Sequence, residues 1–177
     1  LGDVYKRQVY GLAKLMGGKK TFVNKLQMVF DEGLYDPANE PDIAYAHLFS
    51  YFKGEEWRTQ KETQRLLDKY FTTKPDGIPG NDDTGTMSAW AIFNMIGFYP
   101  DCPGLPEYTL TTPVFNKVTI RLDPKWYKEN ELVIESNRTG SETLYINKVL
   151  LDGKKFNKYR ITHDELVHGK RLIFDLK

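Results

Sequence analysis

The spacing of apolar side chains changes period near residue 105, and that change limits the chain to a fold that is helical first and stranded afterwards. Residues three or four apart share a helix face, whereas alternate residues share a strand face. Val9, Leu12, Ala13 and Met16 have the helical spacing, and Gly17-Gly18 ends it. A second helix is expected over about 19–30, with Phe22, Leu26, Val29 and Phe30 on one side. Pro41 suits the first turn of a third, whose apolar face is Tyr45, Leu48, Phe49 and Phe52 and whose end Gly54 marks. A fourth is expected over 57–71, followed by the turn Pro75-Asp76-Gly77, and a fifth over about 85–96, stopping before Gly97 and Pro100. Uneven loops and the lack of a strict repeat favour part of an (α/α)6 toroid over a solenoid.

Beyond Pro106 the residues become strand formers. Val118-Thr119-Ile120-Arg121-Leu122, Leu132-Val133-Ile134-Glu135 and Leu144-Tyr145-Ile146 alternate. Asp152-Gly153 is a hairpin signal after Val149-Leu150-Leu151, and Arg171-Leu172-Ile173-Phe174-Asp175 closes the chain. The expected architecture is therefore α+β and multidomain: helical hairpins of a toroid over 9–104, then part of a β-sandwich over 105–177, with edges for another domain to cover. Residues 1–8, Leu1-Gly2-Asp3-Val4-Tyr5-Lys6-Arg7-Gln8, have neither cap nor period and read as a non-native junction, so the natural chain is expected to begin upstream.

Composition excludes several classes of function. With 25 basic and 24 acidic residues the net charge is +1, which argues against a dedicated nucleic-acid binder. No apolar run is long enough to span a membrane. The single cysteine, Cys102, excludes an internal disulfide framework and a cysteine zinc site, and no base stands near it in sequence. Hydrophobic residues at 40% support a packed core, and aromatic residues at 14% suit both core filling and the packing of rings on sugar C–H faces.

Three constellations could carry chemistry. Gly77-Ile78-Pro79-Gly80-Asn81-Asp82-Asp83-Thr84-Gly85 is a tight loop running into a helix start, with two adjacent carboxylates at that start. The positive end of the helix favours a charged carboxylate, the form a general base needs to activate water. Asp is also a preferred cap, and one Asp could cap while the other faces a pocket. Asn39-Glu40-Pro41-Asp42 repeats the pattern at the third helix; Asn39 and Glu40 offer oxygens of the kind a hard cation takes, or simply cap the helix. Trp57, Trp90, Tyr45, Phe98 and Tyr99 form an aromatic set, with Trp90 two helical turns after Asp83 where it could lie beneath the loop. His47 stands alone on the third helix, while His163 and His168 read as surface residues of the β tail. Asn137-Arg138-Thr139 fits a glycosylation acceptor, a triplet that also arises by chance.

Together these stretches resemble glycoside hydrolase family 92, the calcium-dependent α-mannosidases. The likeness runs through Val9-Tyr10-Gly11-Leu12 and Met16-Gly17-Gly18, then Asn39-Glu40-Pro41-Asp42 and Gly54-Glu55-Glu56-Trp57-Arg58-Thr59-Gln60. It is strongest from Pro75 through the Gly80-to-Trp90 run, and continues with Gly97-Phe98-Tyr99-Pro100, Pro103-Gly104, Tyr108 and Pro113-Val114-Phe115. The resemblance implies removal of terminal α-linked mannose from glycans with inversion, at a pocket between a β-sandwich and an (α/α)6 barrel, in a periplasmic or secreted enzyme. It implies that Asp83 is the general base and that Asp82 is an acidic position of the same loop. Asn81 stands where some members carry a further Asp. Asn39 and Glu40 are implied to contact substrate or Ca2+, and His47 and Trp90 are taken as further substrate contacts. The implied general acid is a Glu upstream of Val9, which no residue here matches, so the upstream part of the polypeptide is an expected partner and the isolated chain is expected to be inactive. Two other functions fit the residues: a carbohydrate-binding module that does not cut, and a different (α/α)6 glycosidase of amylase-like or trehalase-like type.

Overall fold

The computed structural model describes residues 8–102, 104–140 and 143–177; apart from Gln8, the junction reading of residues 1–8 lies outside the described residues, as does Pro103 of the matched motif. The chain is α+β and divides into two compact units, the first ending at Ala91 and the second running from Ile92 to Lys177.

The first unit is helical: α1 (Val9–Leu15), α2 (Lys19–Asp31), a 3-10 helix (Glu40–Tyr51), α3 (Glu56–Tyr70) and α4 (Thr86–Ile96), which continues past Ala91 into the second unit. The apolar spacing of α2 buries Phe22, Val23, Leu26 and Phe30. Phe30 stacks on Tyr35 at 5.2 Å and lies 5.9 Å from Phe49, and Phe22 meets Phe52 at 5.3 Å, so α2 packs along the 3-10 helix through rings. Packing along α3 is partly polar. Thr59, Gln60, Glu62 and Thr63 are buried beside Leu66 and Leu67. A buried carboxylate needs partners, and Glu62 has them in Arg65 Nε at 2.6 Å and Gln27 Nε2 at 3.0 Å.

The third helix departs from the α-helix its sequence suggests. It is 3-10, a form with three residues per turn, so side chains three apart line up. One row, Ile43, Ala46, Phe49 and Phe52, is 2%, 0%, 0% and 8% exposed. A second, Ala44, His47 and Ser50, is also buried, and only the third, Tyr45, Leu48 and Tyr51, is half-buried. Tyr45 and Leu48, expected on the buried face, therefore belong to its outermost row. Two of three rows are inside, and a period-three element with small residues at Ala44, Ala46 and Ser50 suits that better than a one-sided α-helix.

In the second unit two sheets form. One has the order β1 (Phe98–Tyr99), β2 (Glu107–Leu110), β7 (Arg160–Thr162) and is antiparallel. The other has the order β3-β4-β8-β5-β6, from Lys117–Arg121, Glu131–Arg138, Arg171–Leu176, Ile146–Leu151 and Lys154–Phe156. β4 and β8 pair in parallel, with Ile134 opposite Leu172 and Ser136 opposite Phe174; the other pairs are antiparallel. Alternation sends Leu132 and Ile134 of β4 and Leu172, Phe174 and Leu176 of β8 to one core, which Leu110, Ile161 and Val149 join. Asp152 (φ 51°) and Gly153 (φ 76°) make the tight turn between β5 and β6, as the dipeptide leads one to expect.

Residues expected to be plain strand or surface include a short helix, α5 (His163–His168). Thr162 Oγ1 accepts from the Glu165 N–H and the Glu165 carboxylate accepts from the Thr162 N–H, a reciprocal capping box. The Thr162 backbone bond and Lys158 hold the Glu165 carboxyl below the usual glutamate range, against a smaller upward push from burial. His168 is exposed, as expected, whereas His163 is half-buried. Its ring nitrogens meet Tyr108 OH at 2.8 Å and Tyr127 OH at 3.3 Å, and burial, then the nearby Tyr127, raises the Tyr108 phenol.

Candidate active site

Two loops of the helical unit carry the candidate residues, and they touch. A Cβ built on Gly80 would lie 2.6 Å from the Ala38 Cβ, far inside van der Waals contact. Gly80, at φ 67°, is therefore the point where the loop bearing Asn81, Asp82 and Asp83 rests on the loop bearing Asn39 and Glu40. Each loop is fixed from within. Gly77, buried, receives Thr72 N–H on its carbonyl and gives its own N–H to Lys74, and any Cβ there would strike the Thr72 carbonyl. On the other side Asp42, 8% exposed, accepts from Asp36 N–H at 3.1 Å and from Asn39 Nδ2 at 3.1 Å. Asp36 Oδ1 in turn accepts from Ala38 N–H. Asp42, which in sequence fits only as an acidic complement to the helix start, is the tie of this loop.

The adjacent carboxylates do different things. Gly85, the residue before α4, has no side chain with which to cap it. Asp82 reaches forward instead: its Oδ1 accepts from both the Ser88 N–H and the Ser88 hydroxyl, each at 2.8 Å. Its backbone carbonyl accepts from Gly85 N–H at 3.1 Å and Met87 N–H at 3.2 Å. Asp83 takes the other course. Its backbone carbonyl accepts from Thr86, while its half-buried carboxylate makes no hydrogen bond or ion pair to any of the described residues. Asp83, Thr84 and Gly85 have φ of 47°, 61° and 94° in succession. Left-handed backbone is tolerable for Asp but strained for a β-branched residue such as Thr84, at about 1–3 kcal/mol. Such strain persists only where surrounding bonds impose it, and here the Asp82–Ser88 bonds span the turn.

Asn39 and Glu40 are both exposed at the start of the 3-10 helix, and the Asn39 side chain does not cap it. Glu40 forms no hydrogen bond or ion pair with the described residues. A Ca2+ ion takes about six to eight oxygens. No group of three or more acidic, His or Cys residues gathers among the described residues. Asn39 and Glu40 by themselves offer fewer oxygens than such a shell takes.

Trp90 and His47 lie inside rather than on the site's surface. They are 1% and 0% exposed, and a ring without accessible surface has no face to offer a sugar. Trp90 stacks on Phe71 at 5.4 Å, meets His47 edge-on at 6.0 Å and donates its Nε1–H to the Ile43 carbonyl at 2.9 Å. That bond ties α4 to the 3-10 helix, the two elements whose starts carry the two loops. The chemistry left open is then the half-buried Asp83 carboxylate and the exposed Asn81 on one loop, and the exposed Asn39 and Glu40 on the loop that Gly80 touches at Ala38. Ser88 was not singled out in sequence; its spacing of six from Asp82 falls outside the usual capping patterns.

Comparison with known proteins points one way. The family model described as the glycosyl hydrolase family 92 catalytic domain matches residues 4–177. An uncharacterized secreted glycosidase of Arthroderma benhamiae is 29% identical over 161 residues, 91% of this chain and 20% of that protein. The family GH92 α-mannosidase BT3965 of Bacteroides thetaiotaomicron superposes with a TM-score of 0.82 at 32% identity, over 90% of this chain and 22% of its own. The family GH92 inverting mannosidase BT2199 of the same organism superposes with a TM-score of 0.72 at 32% identity, over 90% of this chain and 21% of its own. The chain spans about a fifth of the length of these relatives.

Proposed function

The chain belongs to glycosyl hydrolase family 92, and from that premise we propose that it supplies the water-activating side of an exo-α-mannosidase site. In this reading Asp83 is the general base. The observation that carries it is the contrast within one dipeptide: Asp82 is engaged by Ser88, while Asp83 keeps an unpartnered carboxylate on a strained turn that rests, through Gly80 and Ala38, on the Asn39–Glu40 loop. Support from outside comes from the mannosidase neighbours, one of them inverting.

Inverting hydrolysis uses two carboxyl groups roughly 6.5–9.5 Å apart, with a water against the ionised one. Asp83 takes the proton of that water as its oxygen attacks the anomeric carbon. The proton for the leaving oxygen comes from a carboxylic acid outside this chain, in the upstream polypeptide. Asn81 and the exposed Asn39 and Glu40 orient the terminal mannose of a glycan. Asn39 and Glu40 would also hold Ca2+, which when bound supplies Lewis-acid polarisation of sugar hydroxyls. The helical unit is part of an (α/α)6 toroid and the stranded unit part of a β-sandwich, in an exported enzyme like its secreted relative.

The test is Asp83→Asn in the complete polypeptide. Turnover of an α-mannoside is expected to fall about 10²–10⁴-fold with sugar binding retained, and NMR of the parent reaction to show β-mannose as first product. Unchanged turnover in the variant removes Asp83 from the mechanism. The isolated 177-residue chain is expected to release no mannose.

A further inference from the structure

Ser88 gives both of its donors to a single oxygen. Its N–H is one of the unpaired donors of the first turn of α4, which any residue at this position would present. Its hydroxyl is an addition that the helix does not need, and it converges with the N–H on Asp82 Oδ1, both at 2.8 Å. Two donors on one oxygen fix the orientation of the Asp82 carboxylate and engage its charge. Asp82 also holds the far side of the turn through its backbone carbonyl, bonded to Gly85 and Met87. Between these grips lie Asp83, Thr84 and Gly85, all left-handed. We propose, resting on the reading of Asp83 as the base, that Ser88 is a positioning residue: through Asp82 it clasps the turn that aims the Asp83 carboxylate, and Asp82 is part of that clasp rather than a second base.

The clasp sorts two chemically identical neighbours into one structural and one reactive group. Without the Ser88 hydroxyl, Asp82 is held by the N–H alone and the turn loses part of what imposes its backbone on Thr84. The Asp83 carboxylate then shifts relative to the Asn39–Glu40 loop. A displaced base lowers the rate of the chemical step and leaves ground-state binding in place.

The experiment compares Ser88→Ala, Ser88→Thr, Asp82→Asn, Asp82→Ala and Asp83→Asn in the complete polypeptide, with an α-mannoside as probe. For each, kcat, KM and the thermal midpoint are measured. Ser88→Ala is expected to lower kcat about tenfold to a hundredfold with KM little changed, and Ser88→Thr to restore it. Asp82→Asn keeps an oxygen for both Ser88 donors, so its kcat is expected to stay well above that of Asp83→Asn, while Asp82→Ala falls at least as far as Ser88→Ala. The proposal is overturned if Ser88→Ala keeps the parental kcat, including the case where only its midpoint drops. It is also overturned if Asp82→Asn is as inactive as Asp83→Asn, a comparison that still decides should the alanine variants fail to fold. Parental turnover in Asp83→Asn would instead sink the base reading itself, a result distinct from either of these.

Discussion

Two aspartates stand just outside regular elements, and the chain treats them in opposite ways. Asp101 follows β1 in the stranded unit and is 0% exposed. It accepts from Thr109 Oγ1 at 2.9 Å and from Arg160 at 3.2 Å, and Arg160 bonds onward to Thr109 and to Glu107. Asp83, before α4 in the helical unit, is half-buried in a left-handed turn strained at Thr84 and has no such partner for its carboxylate among the described residues. A carboxylate whose oxygens are all satisfied holds a fold together; one left unsatisfied at a strained position is free to accept a proton. The contrast is between what each group already touches, and burial alone does not give it.

The same substitution should therefore separate the two regions most widely. Asp101→Asn, which removes the buried anion from Arg160 and leaves Glu107 as its anionic partner, is expected to cost about 3 kcal/mol in chemical denaturation, whereas Asp83→Asn stays within about 0.5 kcal/mol. Equal losses would break the comparison. Gly80→Ala puts a methyl against Ala38 on left-handed backbone and is expected to cost about 1–3 kcal/mol. Turnover should fall too, because both site loops move; a variant with parental stability and rate would show that the loops do not bear on each other. Thr162→Ala removes one half of the capping box of α5 and should cost about 1 kcal/mol without touching turnover. The smallest effect is in acid. The Glu165 carboxyl is held low by its bonds to Thr162 and Lys158, so its contribution is complete above the ordinary glutamate pKa of about 4.3 and is lost as pH falls through its lowered value. Glu165→Gln should flatten that part of the acid unfolding curve, and an unaltered curve would assign the acid dependence elsewhere.

Much of the helical unit could be read in advance because its signals are local. The Val9, Phe22 and Leu66 faces follow one period, and Gly17-Gly18 and Gly54 mark its breaks. The 3-10 helix was not legible, because Tyr45 and Leu48 mimic an α-helical face and only the burial of small residues such as Ala46 reveals three-fold rows. The Asp152-Gly153 turn was legible from two residues. β1, β2 and β7 were not: each is two to four residues long, and β2 finds β7 more than fifty residues away. The helix at His163 had its signal, Thr162 followed three residues later by Glu165 and then Leu166-Val167, but a run of strands around it concealed the pattern. At the site, both loops were visible as acidic helix starts, one of them rich in glycine. The division of labour between Asp82 and Asp83 was not, because it depends on a left-handed turn and on a hydroxyl six residues along.

The parallel pairing of β4 with β8 governs the order in which the stranded unit can assemble. β8 lies in the middle of its sheet, between β4 and β5, yet of these five strands it comes latest in chain order. As the ribosome delivers the chain, the β3–β4 and β5–β6 pairs can form early, with Leu132, Ile134 and Val149 still lacking the strand they close upon. Until Arg171–Leu176 clears the exit tunnel this half-sheet presents open edges and apolar side chains, so a translational pause shortly before that point prolongs the interval in which nascent chains can stick to one another.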